Sequence, residues 1–138
     1  MFDALSHVRW LGVAAAFVPY FMLGGLWFTV FFAGPYRRSL GKEGAATEKP
    51  APIFIVGPAV CSLVITITSA VLMRALNIDT YGAALQFAAL IGIGYLVANT
   101  VNIAINPNIP RPLFYGLISG GFHLTGIVIV TTILVALR

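Results

Sequence analysis

Residues 80–110 read TYGAALQFAALIGIGYLVANTVNIAINPNIP, 31 residues with no charged side chain between Asp79 and Arg111. A helix needs about 20 mainly apolar residues to cross about 30 Å of hydrocarbon, so this stretch is long enough to span a bilayer. The rest of the chain repeats the arrangement, with uncharged runs of 27 (Trp10 to Tyr36), 24 (Pro50 to Met73) and 26 residues (Pro112 to Leu137). Four such runs use up nearly all of the 138 residues and leave no room for a soluble catalytic domain. The sequence predicts an all-α integral membrane four-helix bundle, with helices at about 10–33, 52–76, 81–105 and 112–137. It forms a single four-span domain over 1–138, carrying a basic loop at 34–51.

Punctuation residues set these limits. Gly34-Pro35 ends the first helix, and Pro19 and Gly57-Pro58 predict bends inside the first and second. The segment Asn106-Pro-Asn-Ile-Pro-Arg111 is turn chemistry throughout and joins the third and fourth helices as antiparallel neighbours. Arg9 before the first apolar run suggests a signal peptide, but the run is too long for one and Phe31 occupies a position where cleavage wants a small residue. It is read as an uncleaved anchor. Orientation follows from the basic residues: Arg37, Arg38, Lys42, Lys49 and Arg111 lie on one side, Arg9, Arg74 and Arg138 on the other. Cytoplasmic loops are enriched in Lys and Arg, which predicts a multi-pass protein of the bacterial inner membrane with both termini on the outer face.

On a regular helical wheel each span carries one stripe of polar and small residues. They are Gly12, Ala16, Tyr20, Gly24 and Trp27 in the first; Pro58, Ser62, Thr66 and Ser69 in the second; Gly92, Tyr95, Asn99, Asn102 and Asn106 in the third; Gly116, Ser119, Gly120, His123 and Gly126 in the fourth. Lipid tails satisfy no polar group, so the four stripes are expected to face one another. Gly116 and Gly120, in GxxxG spacing, together with Gly24 are the expected helix-packing positions. Equal depth in the third and fourth helices places His123 opposite Tyr95, and a hydrogen bond between them is the sharpest geometric expectation.

His123 is the one histidine at membrane depth and the first candidate for chemistry, as a proton-handling, ligand-binding or helix-bridging group. The simpler account is a neutral bridge satisfied by Tyr95, Ser62 or Thr66. Tyr95, Asn99, Asn102 and Trp27 are the accompanying ligand-binding or helix-bridging candidates; asparagines inside a membrane also serve as adhesive between helices. Two-histidine haem ligation within the chain is excluded because His7 lies at the far end of the bundle. Asp3, Glu43, Glu48 and Asp79 all fall outside the spans, so no buried carboxylate is available for proton-coupled export. Cys61 stands alone, which excludes an internal disulfide and a thiolate cage, and is expected to be a small buried apolar side chain. The net charge of +4 is scattered over helix ends and forms no basic face, so no nucleic-acid partner is expected. Arg37 and Arg38 are candidates for lipid headgroups. Trp10, Tyr36, Tyr81 and Tyr115 suit an aromatic belt, with Trp27 somewhat deeper. No catalytic residue, no metal and no cofactor is expected, and no enzyme activity.

Trp10-Leu-Gly-Val-Ala, then Leu23-Gly-Gly-Leu-Trp-Phe, Phe31-Phe and a basic loop with Leu40-Gly41, resembles the opening of a small bacterial membrane family catalogued as domain of unknown function 1761. Arg111-Pro112-Leu113 followed by Gly121-Phe122-His123-Leu124 is similar to its fourth helix. Phe28 stands where many relatives carry tyrosine. The resemblance implies a four-helix membrane protein of unestablished function, and makes His123 and Trp27 the first positions to mutate.

Two functions are compatible with this inventory. The leading one is a structural or accessory subunit, a homo-oligomer or docked to a larger membrane complex, in contact with membrane lipids. The alternative is a binder or carrier of a small solute or hydrophobic ligand in an intramembrane pocket lined by Tyr95, Asn99, Asn102 and His123.

Overall fold

The computed structural model describes residues 2–45 and 51–138, with side chains described from Ala4 onward. Glu48 and Lys49 of the basic loop and the side chain of Asp3 lie outside that description. The described chain is all helical, with four rods long and apolar enough to cross a membrane: Trp10–Phe31, Ile53–Ala75, Tyr81–Ala104 and Pro112–Ala136. Each lies within two residues of its expected limits. Pro19 and Pro58 are held inside their helices.

The rods end where local chemistry requires it. Thr80 caps the third span, its hydroxyl accepting from the amide of Ala83 at 3.2 Å. Pro112 opens the fourth at a position whose missing amide has no helical partner to lose. After the second span Asn77 turns left-handed at φ 53°. There Ile78 N–H donates back to the Met73 carbonyl at 2.9 Å and Asn77 N–H to that of Arg74 at 3.3 Å, closing the helix's last carbonyls.

The basic loop differs from expectation because its first part, Ala33–Ser39, is helical. Gly34-Pro35 falls in the first turn, where proline is tolerated, and so starts a helix instead of only ending one. Gly41, at φ 67°, then closes this helix with Lys42 N–H donating to the Arg37 carbonyl at 3.0 Å.

The fourth span is the hub. The first and third spans pack along it, while the second leans chiefly on the first and on the 3₁₀ turn Phe2–His7. The first-span stripe faces inward as expected, with Gly12, Ala16 and Tyr20 buried, and so does the second, with Ser62, Thr66 and Ser69 buried. Cys61, expected to be buried, is exposed on the surface of the second span.

The third stripe faces inward only at Gly92. Tyr95 is 70% exposed, and Asn99 and Asn102 are exposed beside it. The reason is a π turn at Gly92–Val97. The side of this span that meets the fourth runs Ala84, Ala88, Gly92, then Val97, Val101 and Ala104: Gly92 lies against Leu124 and Ile127, Val97 against Gly120, Val101 against Gly116. Four residues separate the first members and five separate Gly92 from Val97. In a regular helix that fifth residue swings the chain about 100° further round. The wider π turn absorbs it, bringing the valines in and carrying the asparagines out.

Deleting Gly94, which has nothing within 4 Å of where a side chain would start, converts the π turn to an α turn and keeps both halves of the third span on the fourth. That variant is expected to fold with a melting temperature close to wild type, whereas deleting Ile129 from the uninterrupted fourth span should abolish cooperative melting. Thermal unfolding followed by circular dichroism distinguishes the two.

Candidate functional site

The polar centre of the bundle lies between the first and fourth spans. Tyr20 is fully buried about halfway along its rod, and its ring lies directly on Gly126, where a Cβ would collide with the ring edge. From there its hydroxyl shares a hydrogen bond of 3.1 Å with Nδ1 of His123, itself half-buried near the middle of the fourth span. Nε2 of His123 has no partner among the described residues. One turn toward the loops, Ser119 is buried and its hydroxyl is also unpartnered among them.

An aromatic shell seals this pair from the loop side. Phe122 stacks on Tyr20 at 5.4 Å and meets Phe28 edge-on at 5.3 Å. Gly24 makes the room, since a Cβ there would come within 3.3 Å of the Phe122 ring. Further along, Trp27 Nε1 donates to the Ile118 carbonyl at 3.0 Å, joining the two spans a second time. Trp27 belongs to a π turn, Trp27–Phe31. Tyr36 packs between Phe28 and Tyr115 at 4.7 and 5.8 Å, and burial, reinforced by Tyr115, pushes its hydroxyl up to about 12. It is neutral at physiological pH and acts by packing.

The loops clasp each other over this end. Glu43 receives Arg38 at 3.2 Å and Arg111 at 3.1 Å, and Arg111 also donates to the Arg38 carbonyl at 3.1 Å. Gly41 fits under the ring of Pro110. Arg37 donates to the Ala45 carbonyl. The two arginines read as headgroup candidates are therefore engaged within the loops, through partly exposed groups that contribute little individually.

The expected bond between Tyr95 and His123 is not formed. The π turn puts Tyr95 on the outer surface, and Tyr20 takes the histidine instead. Ser62 and Thr66 do not reach it either: Thr66 donates to the Ser62 carbonyl at 2.8 Å and Ser69 to that of Ile65 at 2.8 Å, each within its own helix. The structure brings His123 and Trp27 into contacts between spans and leaves Tyr95, Asn99 and Asn102 away from both. Asn106 satisfies itself in the turn, donating to the Ile103 carbonyl at 2.6 Å and accepting from Asn108 N–H at 2.8 Å. Gly116 and Gly120 are taken up against Val101 and Val97 of the same chain, so the GxxxG face is not available to a partner.

Among the described residues no three His, Cys, Asp or Glu side chains are grouped to hold a metal ion. The Tyr20 and His123 pair also lacks the carboxylate that usually orients a working imidazole. Its geometry supports bridging of helices.

Residues 11–135 match the family described as protein of unknown function (DUF1761), across all four spans. The chain belongs to the DUF1761 family. No curated protein and no solved structure matches it. This DUF1761 member thus carries the aromatic-His pair, Phe122-His123, at the contact between its first and fourth spans.

Substituting Gly126→Ala drives a methyl into the Tyr20 ring and should destabilise the bundle by about 1–3 kcal/mol, as overpacking of a close-packed interior does. Tyr20→Phe should cost less, about 0.6–2 kcal/mol, the range for one hydrogen bond between membrane helices. Equilibrium unfolding in mixed micelles measures both.

Proposed function

We propose that this protein is a non-catalytic structural or accessory subunit of the bacterial inner membrane that works as a homo-oligomer, its protomers joined through the outer face of the third span. One observation carries the reading: Tyr95, Asn99 and Asn102 lie exposed along one surface of a membrane helix with no hydrogen-bond partner among the described residues. Asn99 sits five residues inside the end of the span at Ala104, about 8 Å deep at 1.5 Å per residue. A carboxamide left unpaired in hydrocarbon costs several kcal/mol, so this surface favours a protein partner over lipid.

The chemistry favours a second copy. Two copies in one membrane share an orientation, so a twofold axis along the membrane normal sets their third spans parallel and brings Asn99 level with Asn99. A carboxamide both donates and accepts, and it carries no charge to repel its equivalent. Gly94 and Ala98, exposed next to Tyr95 and Asn99, keep the approach free of bulky side chains. The loops with Arg37, Arg38, Lys42, Lys49 and Arg111 then face the cytoplasm, and both termini face outward.

In lipid nanodiscs the double variant Asn99→Leu with Asn102→Leu should dissociate at least about tenfold more readily than wild type, by mass photometry or sedimentation. With Cys61→Ser as background, Asn99→Cys should crosslink to its own equivalent. A wild-type protein that stays monomeric, or that pairs only with a different protein in native membranes, would refute self-association.

A further inference from the structure

At the end of the bundle that carries the termini, the first, second and fourth spans enclose a cavity of about 190 Å³. Its rim is cationic, formed by Arg9, Arg74 and Arg138 with His7 beside them. Its floor is apolar, formed by Gly12, Ala70 and Leu134. Arg9 donates to an α-carboxyl oxygen of Arg138 at 2.6 Å, leaving most of its guanidinium donors unused. Arg138 reaches Asp79 only loosely, at 3.7 Å. Arg74 has no ion-pair partner among the described side chains, and Asp79 is the one acid among them paired with this rim.

Three guanidinium groups share the Asp79 carboxylate and the α-carboxyl group of Arg138, which leaves one excess positive charge over a hydrocarbon floor. The fork of a guanidinium matches the oxygens of a phosphate, and clusters of such forks are how proteins bind it. The depth is appropriate for a headgroup, since Trp10 and Tyr81, both exposed, project at the same end as interfacial aromatics do. The volume is below the roughly 300–1,000 Å³ of pockets that enclose a whole drug-sized ligand. It suits a phosphate and the first carbons attached to it, with the remaining chain lying outside in the bilayer.

We propose that this cavity is a binding site for an amphiphile whose phosphate headgroup carries a net negative charge, with Arg9, Arg74 and Arg138 holding the phosphate and Gly12, Ala70 and Leu134 seating the start of its apolar chain. The site uses none of the third-span surface on which self-association rests, so either idea can fail without the other.

Native mass spectrometry of the full chain, titrated separately with phosphatidylglycerol, phosphatidylcholine and inorganic phosphate, tests it. Phosphatidylglycerol should be retained at least about fivefold better than phosphatidylcholine. Arg74→Ala, which removes no side-chain hydrogen bond or ion pair among the described residues, should reduce that retention about fivefold, the effect of one basic residue near an anionic lipid. Gly12→Leu, which fills the floor, should weaken the lipid while leaving weak binding of inorganic phosphate unchanged. Circular dichroism of both variants verifies that the bundle is intact, and Arg74→Lys should recover part of the retention. Equal retention of the two lipids, or indifference to Arg74→Ala in a folded protein, would overturn the site. Inorganic phosphate binding as tightly as the lipid and unaffected by Gly12→Leu would overturn its assignment to an amphiphile.

Discussion

The close approach of the fourth span to its neighbours is the constraint on which the rest depends. Lipid tails are as apolar as leucine, so no hydrophobic force drives helices together inside a bilayer, and association rests on packing and a few hydrogen bonds. The fourth span supplies the packing with Gly116 and Gly120 against valines of the third, and Gly126 under the Tyr20 ring of the first. The contact at Gly126, with those of Gly24 on Phe122 and Gly121 on Trp27, brings Tyr20 within reach of His123 and Trp27 within reach of the Ile118 carbonyl. Widening the approach of the first span to the fourth by one methyl would separate Tyr20 from His123, whose imidazole has no other hydrogen-bond partner among the described residues.

The π turn at Gly92–Val97 is the price of fitting two different surfaces onto that hub. Before it the third span offers Ala84, Ala88 and Gly92; after it Val97, Val101 and Ala104. An unbroken α-helix cannot present both sets to one neighbour, because a five-residue step leaves them about 140° apart. The same adjustment gives the protein an outer polar surface. Such turns recur at functional positions in other helices, in keeping with a role for the residues it displaces.

Four uncharged runs, the proline-containing turn between the third and fourth spans and the hydroxyl stripe of the second span are legible directly, because each depends on local composition or on a regular period. The orientation of Asn99 is not. A wheel drawn at a constant angle has no place for an extra residue, and Gly92-Ile-Gly94 does not announce a π turn by its composition. Tyr20 stands on the inward stripe of its helix, yet nothing in the sequence pairs it with His123, because no short loop joins the first and fourth spans to make them neighbours. The helix at Ala33–Ser39 was hidden by Gly34-Pro35, a pair that reads as a stop although proline is equally at home in a first turn.

The second span is anchored unequally. Its terminal half rests on the first span and the 3₁₀ turn and is closed by Asn77, whereas Ile53, Phe54, Ile55 and Val56 at its other end are all exposed. A rod gripped at one end and bathed in acyl chains at the other behaves as a lever. Mismatch between its hydrophobic length and the bilayer costs fractions of a kcal/mol per ångström, and tilting of the loosely held end is the expected way for this span to relieve it.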